Sequence, residues 1–445
     1  MRCAQPGGFL PGCLGLDWGH GVIEELRSRF NGEFSAEKYA SLLAMLEQGS
    51  GTRVEFRVAE TPVFVPLSLL EGMAEAGEEL AASLIADRAY LAAARRAIPH
   101  GFNVAGETAH PHFLTADFAL VQGEGGALVP KLVEIQAFPS VYGYQDLLCS
   151  GYRQAYGLRD GLGTFLSGLD ESRYWDLLRR TVVGRHDPRH VVLTEVDPLH
   201  QKTLPDFNVT ARKLGIAVVD IASLQPVDNK LHYRDATGRL VPIERIYNRA
   251  IADELIARKI ELPFDLTHAW DVEWAGHPNW YFLISKYAVP RLAQSAVGRA
   301  VVPPAVFLID FLEGSGKAVL ADAGVQLPPE RGADTTYGEL LLKPLFSFAG
   351  KGIQFEPTQA ELEAIPSERR QDYLLQQRMD FVPTIETPHG RTQAEFRILY
   401  VWPDGERLTP ALSLVRLGRE KMMGVDHNKS QEWVGASAAF YPLGK

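Results

Sequence analysis

Cysteine is scarce in this 445-residue chain, which has three: Cys3, Cys13 and Cys149, without a CxxC spacing. An odd, sparse set argues against a disulfide framework or a zinc knuckle and fits reduced thiols in a reducing compartment. Long apolar runs are missing too. None approaches the ~18 residues that a membrane-spanning helix needs, and the run Ala305–Leu312 is cut by Asp310. Nor is positive charge in excess: 45 Lys and Arg stand against 55 Asp and Glu, for a net charge of −10 at pH 7. Phosphate backbones attract basic surfaces, so nucleic acid is not the expected partner. An acidic total still leaves room for a local basic cleft that takes an anionic small molecule. Residues 1–15 lack the basic start and long apolar stretch of a signal peptide. The expected location is therefore cytoplasmic, away from membranes, with the sequons at Asn208 and Asn428 incidental. Oligomeric state is not legible.

Several catalytic signatures are absent as well. Gly314-Ser-Gly-Lys317 looks like the end of a phosphate loop, but Phe311 stands where the loop needs glycine and Ala318 where it needs Ser or Thr. There is no GxGxxG after a strand, no GxSxG and no HExxH. His110 and His112 read as packing or surface residues ahead of a strand in preference to a metal pair.

What is present is an ordinary globular composition, 46% apolar and 22% charged, on a chain too long for one compact core. Two or three lobes are expected. Residues 16–100 read as helices, with Leu, Ala and Met at three-and-four spacing in Glu37–Glu47 and Leu67–Ala97. From about Phe113 the pattern turns to short strands. Val191–Thr194, a helix ending at Gly215, Ile216–Ile221 and Arg245–Tyr247 make a small parallel α/β layer. Ile260–Pro278, rich in Trp, His and Pro, reads as a boundary. Strands are then expected at Ala305–Ile309, Leu340–Lys343, Tyr373–Gln377, Phe396–Trp402 and Ala411–Leu417.

Two constellations carry chemistry. In the first, Asp117–Val121 and Lys131–Gln136 flank Gly123, Gly125 and Gly126, which marks an antiparallel hairpin. If the turn centres on Gly125–Gly126, Asp117 lies opposite Glu134, with Gln136 two along on the same face; a bulge at Pro130 would shift this by one. Facing carboxylates repel unless a cation lies between them, and hard oxygens at that separation suit magnesium shared with phosphate. An exposed hairpin face with two solvated acids is an equally good local reading. In the second constellation, Lys343 ends the apolar strand Glu339–Lys343 and runs into a loop of small residues containing Ser347, Gly350, Lys351 and Gly352. A lysine there is costly to bury unless an anion meets it. The loop can close over phosphates with its backbone N–H groups. The strand Tyr373–Gln377 could set backbone, Gln376 and Gln377 against an adenine edge.

In this order the motifs resemble the circularly permuted ATP-grasp proteins, above all the glutathionylspermidine synthase-like group. The resemblance rests on Ala116-Asp117-Phe118, Lys131–Ser140, Leu342-Lys343-Pro344 and Gly350-Lys351-Gly352. Val192–Glu195 with Gln201, Tyr247-Asn248-Arg249, Lys286 and Val415-Arg416 with Asn428 add to it. It runs with gaps from about residue 113 to the end. Gln136 stands where the group has Asn, and Asn248 replaces the first Arg of a pair.

The resemblance implies an α/β (α+β) ATP-grasp architecture in four parts. These are a helical N-terminal region (1–112), a metal-binding hairpin with helices of the core (113–185), a small Rossmann-like pre-grasp unit (186–265) and the nucleotide-binding lobes (266–445). It implies an ATP-dependent carboxylate–amine ligase that joins a small-molecule acid to an amine through an acylphosphate. Asp117, Glu134 and Gln136 would hold Mg2+. Lys286, Lys343, Gln376, Gln377 and the 347–352 loop would hold ATP. Arg416, Arg249 and Arg397 would stabilise the moving phosphoryl group. Two alternatives stay open: a phosphotransferase on the same fold, and a nucleotide-binding protein without turnover.

Overall fold

The computed structural model describes residues 21–158, 160–329, 332–346, 352–421, 423 and 430–444. Its largest sheet has the strand order Val63–Phe64, Gly435–Pro442, Thr409–Gly418, Gln393–Val401, Phe113–Gln122, Leu128–Gln136, with Leu162–Gly163 added beside Gly435–Pro442. The five strands from Gly435–Pro442 to Leu128–Gln136 run antiparallel, and Val63–Phe64 joins the edge in parallel. Both faces are covered. Phe396, Ile398 and Tyr400 enter one apolar core, shared with the helix Leu67–Ala86, while Leu399 and Val401 enter a second.

The segment from Val63 to Ala86 is therefore built into this sheet. It supplies the edge strand and the helix that covers one face. Leu67–Ala97 is not one helix: Asp87 ends Leu67–Ala86 and caps the next helix, Arg88–Arg96, by accepting from the Tyr90 N–H. The long helix lies close to the sheet at Gly77. Tyr400 donates its hydroxyl to the Ala74 carbonyl at 3.0 Å, and a Cβ on Gly77 would collide with that hydroxyl. Gly77→Ala should therefore destabilise the protein by about 1–3 kcal/mol, although alanine favours helix by ~1 kcal/mol. A urea midpoint at or above that of the parent would show that the helix does not sit this close.

A second sheet is parallel throughout, in the order Glu273–Ala275, Arg245–Asn248, Val191–Glu195, Ala217–Asp220. It contains the small α/β layer expected from the sequence, and Gly215 caps the helix Leu204–Leu214 in the left-handed conformation. Its edge strand, Glu273–Ala275, lies past residue 265, inside the segment that reads as a boundary. Three residues are too short for periodicity to reveal. A third sheet is antiparallel, in the order Ala305–Phe307, Tyr373–Gln377, Leu340–Pro344, Gln354–Phe355. The remaining strands, Gln225–Val227, Lys230–Arg234 and Leu240–Pro242, form a small antiparallel sheet. The fold is mixed α/β with several sheets. Among the described residues no helix is long and apolar enough to cross a membrane.

Candidate functional site

The hairpin brings its acids together by a route that the sequence does not show. Near the turn, Phe118 pairs with Leu132 and Ala119 with Lys131, one residue short of the expected register. A bulge at Val133 then restores it, so that Asp117 does face Glu134 and Thr115 faces Gln136. Pro130 stays in the ladder, opposite Leu120.

Across the sheet, Arg397 lies opposite Asp117, while Glu395 lies opposite Arg416 on the next strand. Directly opposed residues share a face, so Arg416, Glu395, Arg397, Asp117 and Glu134 form one charged patch. It occupies the end of the face whose other end, at Leu399 and Val401, is apolar core. The sequence reading missed Glu395. Its signal was there in Ala394-Glu395-Phe396-Arg397-Ile398, where two charges stand two apart in an apolar strand.

Contacts within the patch are close. Arg397 donates from Nε to Asp117 Oδ1 at 2.6 Å and from Nη2 to Oδ2 at 2.7 Å, and from Nη1 to Ser140 Oγ at 3.1 Å. Arg416 Nη2 also binds Asp117 Oδ2, and lies 2.6 Å from Glu395 Oε1. Burial by itself would push the Asp117 carboxyl up, but the two guanidiniums reverse this and hold it below the usual carboxylate range. Burial raises the Glu395 carboxyl; Arg416 opposes that, while Asp117 and Glu134 add to it.

Two lysines reach the same place from outside the sheet. The Ala137 N–H donates to the Ile284 carbonyl at 2.9 Å, tying the end of the hairpin to the short turn that carries Lys286. Lys286 Nζ lies 3.0 Å from Glu134 Oε1. Lys343 is buried on the third sheet and donates to Gln376 Oε1 at 2.7 Å. Burial pushes its ammonium down to about 8; nearby Lys286 pushes the same way, and Glu134 and Glu395 pull back. A buried lysine held by a neutral amide, beside a second lysine and two arginines, is a site that an anion would stabilise.

The other expected residues are distributed differently. Arg249 is not in this patch: it forms a buried ion pair with Asp206 and packs over the Phe207 ring at 5.0 Å. Such an arginine on a strand end is a structural ion pair, with its charge already compensated. Gln376 Nε2 is buried without a partner among the described residues. The strand Tyr373–Gln377 has neighbours on both sides, and the Gln377 N–H donates to the Pro304 carbonyl at 2.8 Å. Pro304 has no N–H to return, so the Gln377 carbonyl at the strand end, like the glutamine side chains, stays available to a base. Gly352 has a positive φ of 77° and lies against the Pro344 ring. Ser347, Gly350, Lys351 and Asn428 lie outside the described residues. His110 stacks on Trp402 with 4.0 Å between ring centroids, and His112 contacts Asp404 at 2.9 Å, so both are engaged in packing.

Magnesium needs hard oxygens with open lone pairs. Glu134 and Gln136 are half-buried and can offer them. Asp117 has less to offer, since three guanidinium N–H groups already bind its two oxygens. The ladder places Asp117, Glu134 and Gln136 on one face of the hairpin, with Asp117 bound to the two arginines.

The parallel sheet has its own point of interest. Numbered by chain position its strands run 2-1-3-4, so direction of travel reverses between Val191–Glu195 and Arg245–Asn248. Open α/β sheets take ligands in the crevice outside the carboxyl ends of such strands. Glu195 and Asn248, both buried, end these two strands, and burial pushes the Glu195 carboxyl up to about 8.

No family model matches the sequence, and no curated protein matches it. Among solved structures, the chain is similar to a glutathione synthetase like-effector (GSS30) from Globodera pallida in apoform. The TM-score is 0.54 at 10% sequence identity, over 91% of this chain and 96% of that chain. At that identity the likeness is one of fold.

Proposed function

We propose that the chain is an ATP-grasp protein of the circularly permuted kind, and that it acts as an ATP-dependent carboxylate–amine ligase. The observation that carries this reading is the convergence of Lys286, Lys343, Arg397 and Arg416 on one buried patch beside Glu134. A polyanion of the size of a triphosphate matches that concentration of donors. The fold likeness to a glutathione synthetase-like protein and the chain order of hairpin, α/β layer and lysine strand support it.

In this reading Lys286 and Lys343 bind phosphate oxygens of ATP, drawing the two sheets together around it. A substrate carboxylate attacks the γ-phosphorus, ADP leaves, and an acylphosphate forms. Arg416 and Arg397 stabilise charge on the transferred group. The amine nitrogen then attacks the acyl carbon, an amide forms, and phosphate departs as the amine gives up its proton. The crevice beside Glu195 and Asn248 is where a substrate would enter. No side chain need act as a nucleophile, and no step is assigned to magnesium.

One observation favours a second reading, a nucleotide-binding protein without turnover: Asp117 is taken up by two arginines. ADP release separates the possibilities. Release that requires both an acid and an amine supports the ligase. Release with the acid alone indicates a phosphotransferase. Nucleotide binding with no release under any acid–amine pair supports the second reading and sinks the first.

A further inference from the structure

The strand pair at Asp117 reads as a metal hairpin, yet its geometry serves another purpose. Asp117 is 2% exposed, and three guanidinium N–H groups occupy its two oxygens. A dication at the same carboxylate would have to sit against two fixed positive charges. Glu134, opposite it, meets Lys286 Nζ at 3.0 Å through Oε1, and its side chain is 23% exposed. The two acids are therefore not equivalent, although they face each other across the ladder. Arg416 still carries a buried Nε without a partner among the described residues, so its fork is only partly used by Asp117 and Glu395. Ser140 completes the hold on Arg397 at 3.1 Å.

We infer that Asp117 is a positioning residue of an anion clamp, fixing Arg397 and Arg416 to receive a phosphate group, and that a divalent cation accompanying the phosphates is left to Glu134 and Gln136. This rests on the reading that the patch takes a polyphosphate. It departs from the three-donor arrangement that the hairpin suggests. The chemistry follows from rotamer freedom: an arginine fork aimed by a buried carboxylate loses less entropy on meeting a phosphate than a free one does. A neutral or misplaced residue at position 117 releases both forks at once, and leaves the oxygens of Glu134 and Gln136 where they are.

The test separates metal from anion in the full chain. Tripolyphosphate affinity is measured by calorimetry without metal, and Mn2+ coordination by electron paramagnetic resonance in the presence of tripolyphosphate. Asp117→Asn should weaken metal-free tripolyphosphate binding at least tenfold and leave the Mn2+ spectrum and affinity within twofold of the parent. Glu134→Gln should do the reverse, losing Mn2+ at least tenfold while keeping metal-free binding. Because Asp117→Asn leaves two buried arginines less compensated, Asp117→Glu is the second variant. It retains the charge, lengthens the arm by one methylene, and should again weaken the anion and spare the metal. Loss of Mn2+ in Asp117→Asn or Asp117→Glu to the extent seen in Glu134→Gln overturns the inference. A parent that binds tripolyphosphate but no ATP analogue removes the ligase reading and leaves the clamp standing. A parent that binds neither polyanion overturns the clamp as well.

Discussion

Lys343→Met should weaken binding of a non-hydrolysable ATP analogue by roughly 10- to 150-fold, the equivalent of losing a charged hydrogen bond of about 1.5–3 kcal/mol. The side chain is buried, and it donates to the neutral Gln376 amide at 2.7 Å. That partner satisfies one N–H and none of the charge. A phosphate oxygen would do both. The same burial fixes the pH dependence. With the ammonium held at about 8, the charged form required by an anion is present below that pH. Analogue affinity should fall as pH rises through about 8, and Lys343→Met should be flat across that range. Bound phosphate favours the charged form, so the fall begins at about 8 and continues up to the higher value of the complex. Stability without ligand has the opposite trend. Between about pH 8 and the ordinary lysine value of ~10.4 the unfolded chain holds a proton that the folded chain has released, so stability rises with pH there. Calorimetric titrations at several pH values measure the first effect, and urea midpoints the second. A parent whose affinity does not change from pH 7 to pH 9.5 would take Lys343 out of the anion site.

Arg249→Met should cost about 3–5 kcal/mol of stability, because it strands the Asp206 carboxylate in the interior. Both partners are buried, at 5% and 1% side-chain exposure. Asp206 also accepts from the Tyr144 N–H at 3.0 Å, near the start of the helix Tyr142–Tyr156. The pair thus fastens the carboxyl end of Arg245–Asn248 to two helices. Removing both charges, as in Arg249→Met with Asp206→Leu, should recover much of the loss, since a buried ion pair gains little over well-packed apolar groups. Urea midpoints of the parent, the single and the double variant measure this. A single variant as stable as the parent would return Arg249 to a role with substrate.

The chain shows how unevenly a site is written in its sequence. Lys343 is legible because a charge at the end of Glu339–Lys343 conflicts with the strand's apolar character, and conflict marks function. The place of Tyr373–Gln377 is not: nothing local says that this strand lies between two others. The pairing of Asp117 with Glu134 follows from a turn centre that is one residue out of place near the loop, and the bulge at Val133 supplies the difference. Arg249 and Arg397 look alike on paper, each an arginine on or beside a strand. One meets Asp206 in the interior and the other meets Asp117 at the site.

Local patterning by itself determined several of the longer helices and strands (though not Gly435–Pro442 in the main sheet), the absence of a membrane-length apolar run, and the residue types that can meet a phosphate. It could do so because period, caps and turn residues act within a few positions. Tertiary structure alone decided that the helix Leu67–Ala86 covers the sheet, that Glu395 joins the patch, and that Asp117 meets the arginines. Those outcomes depend on which strands become neighbours, and pairing across 280 residues, as between Asp117 and Arg397, leaves no periodic trace in the sequence.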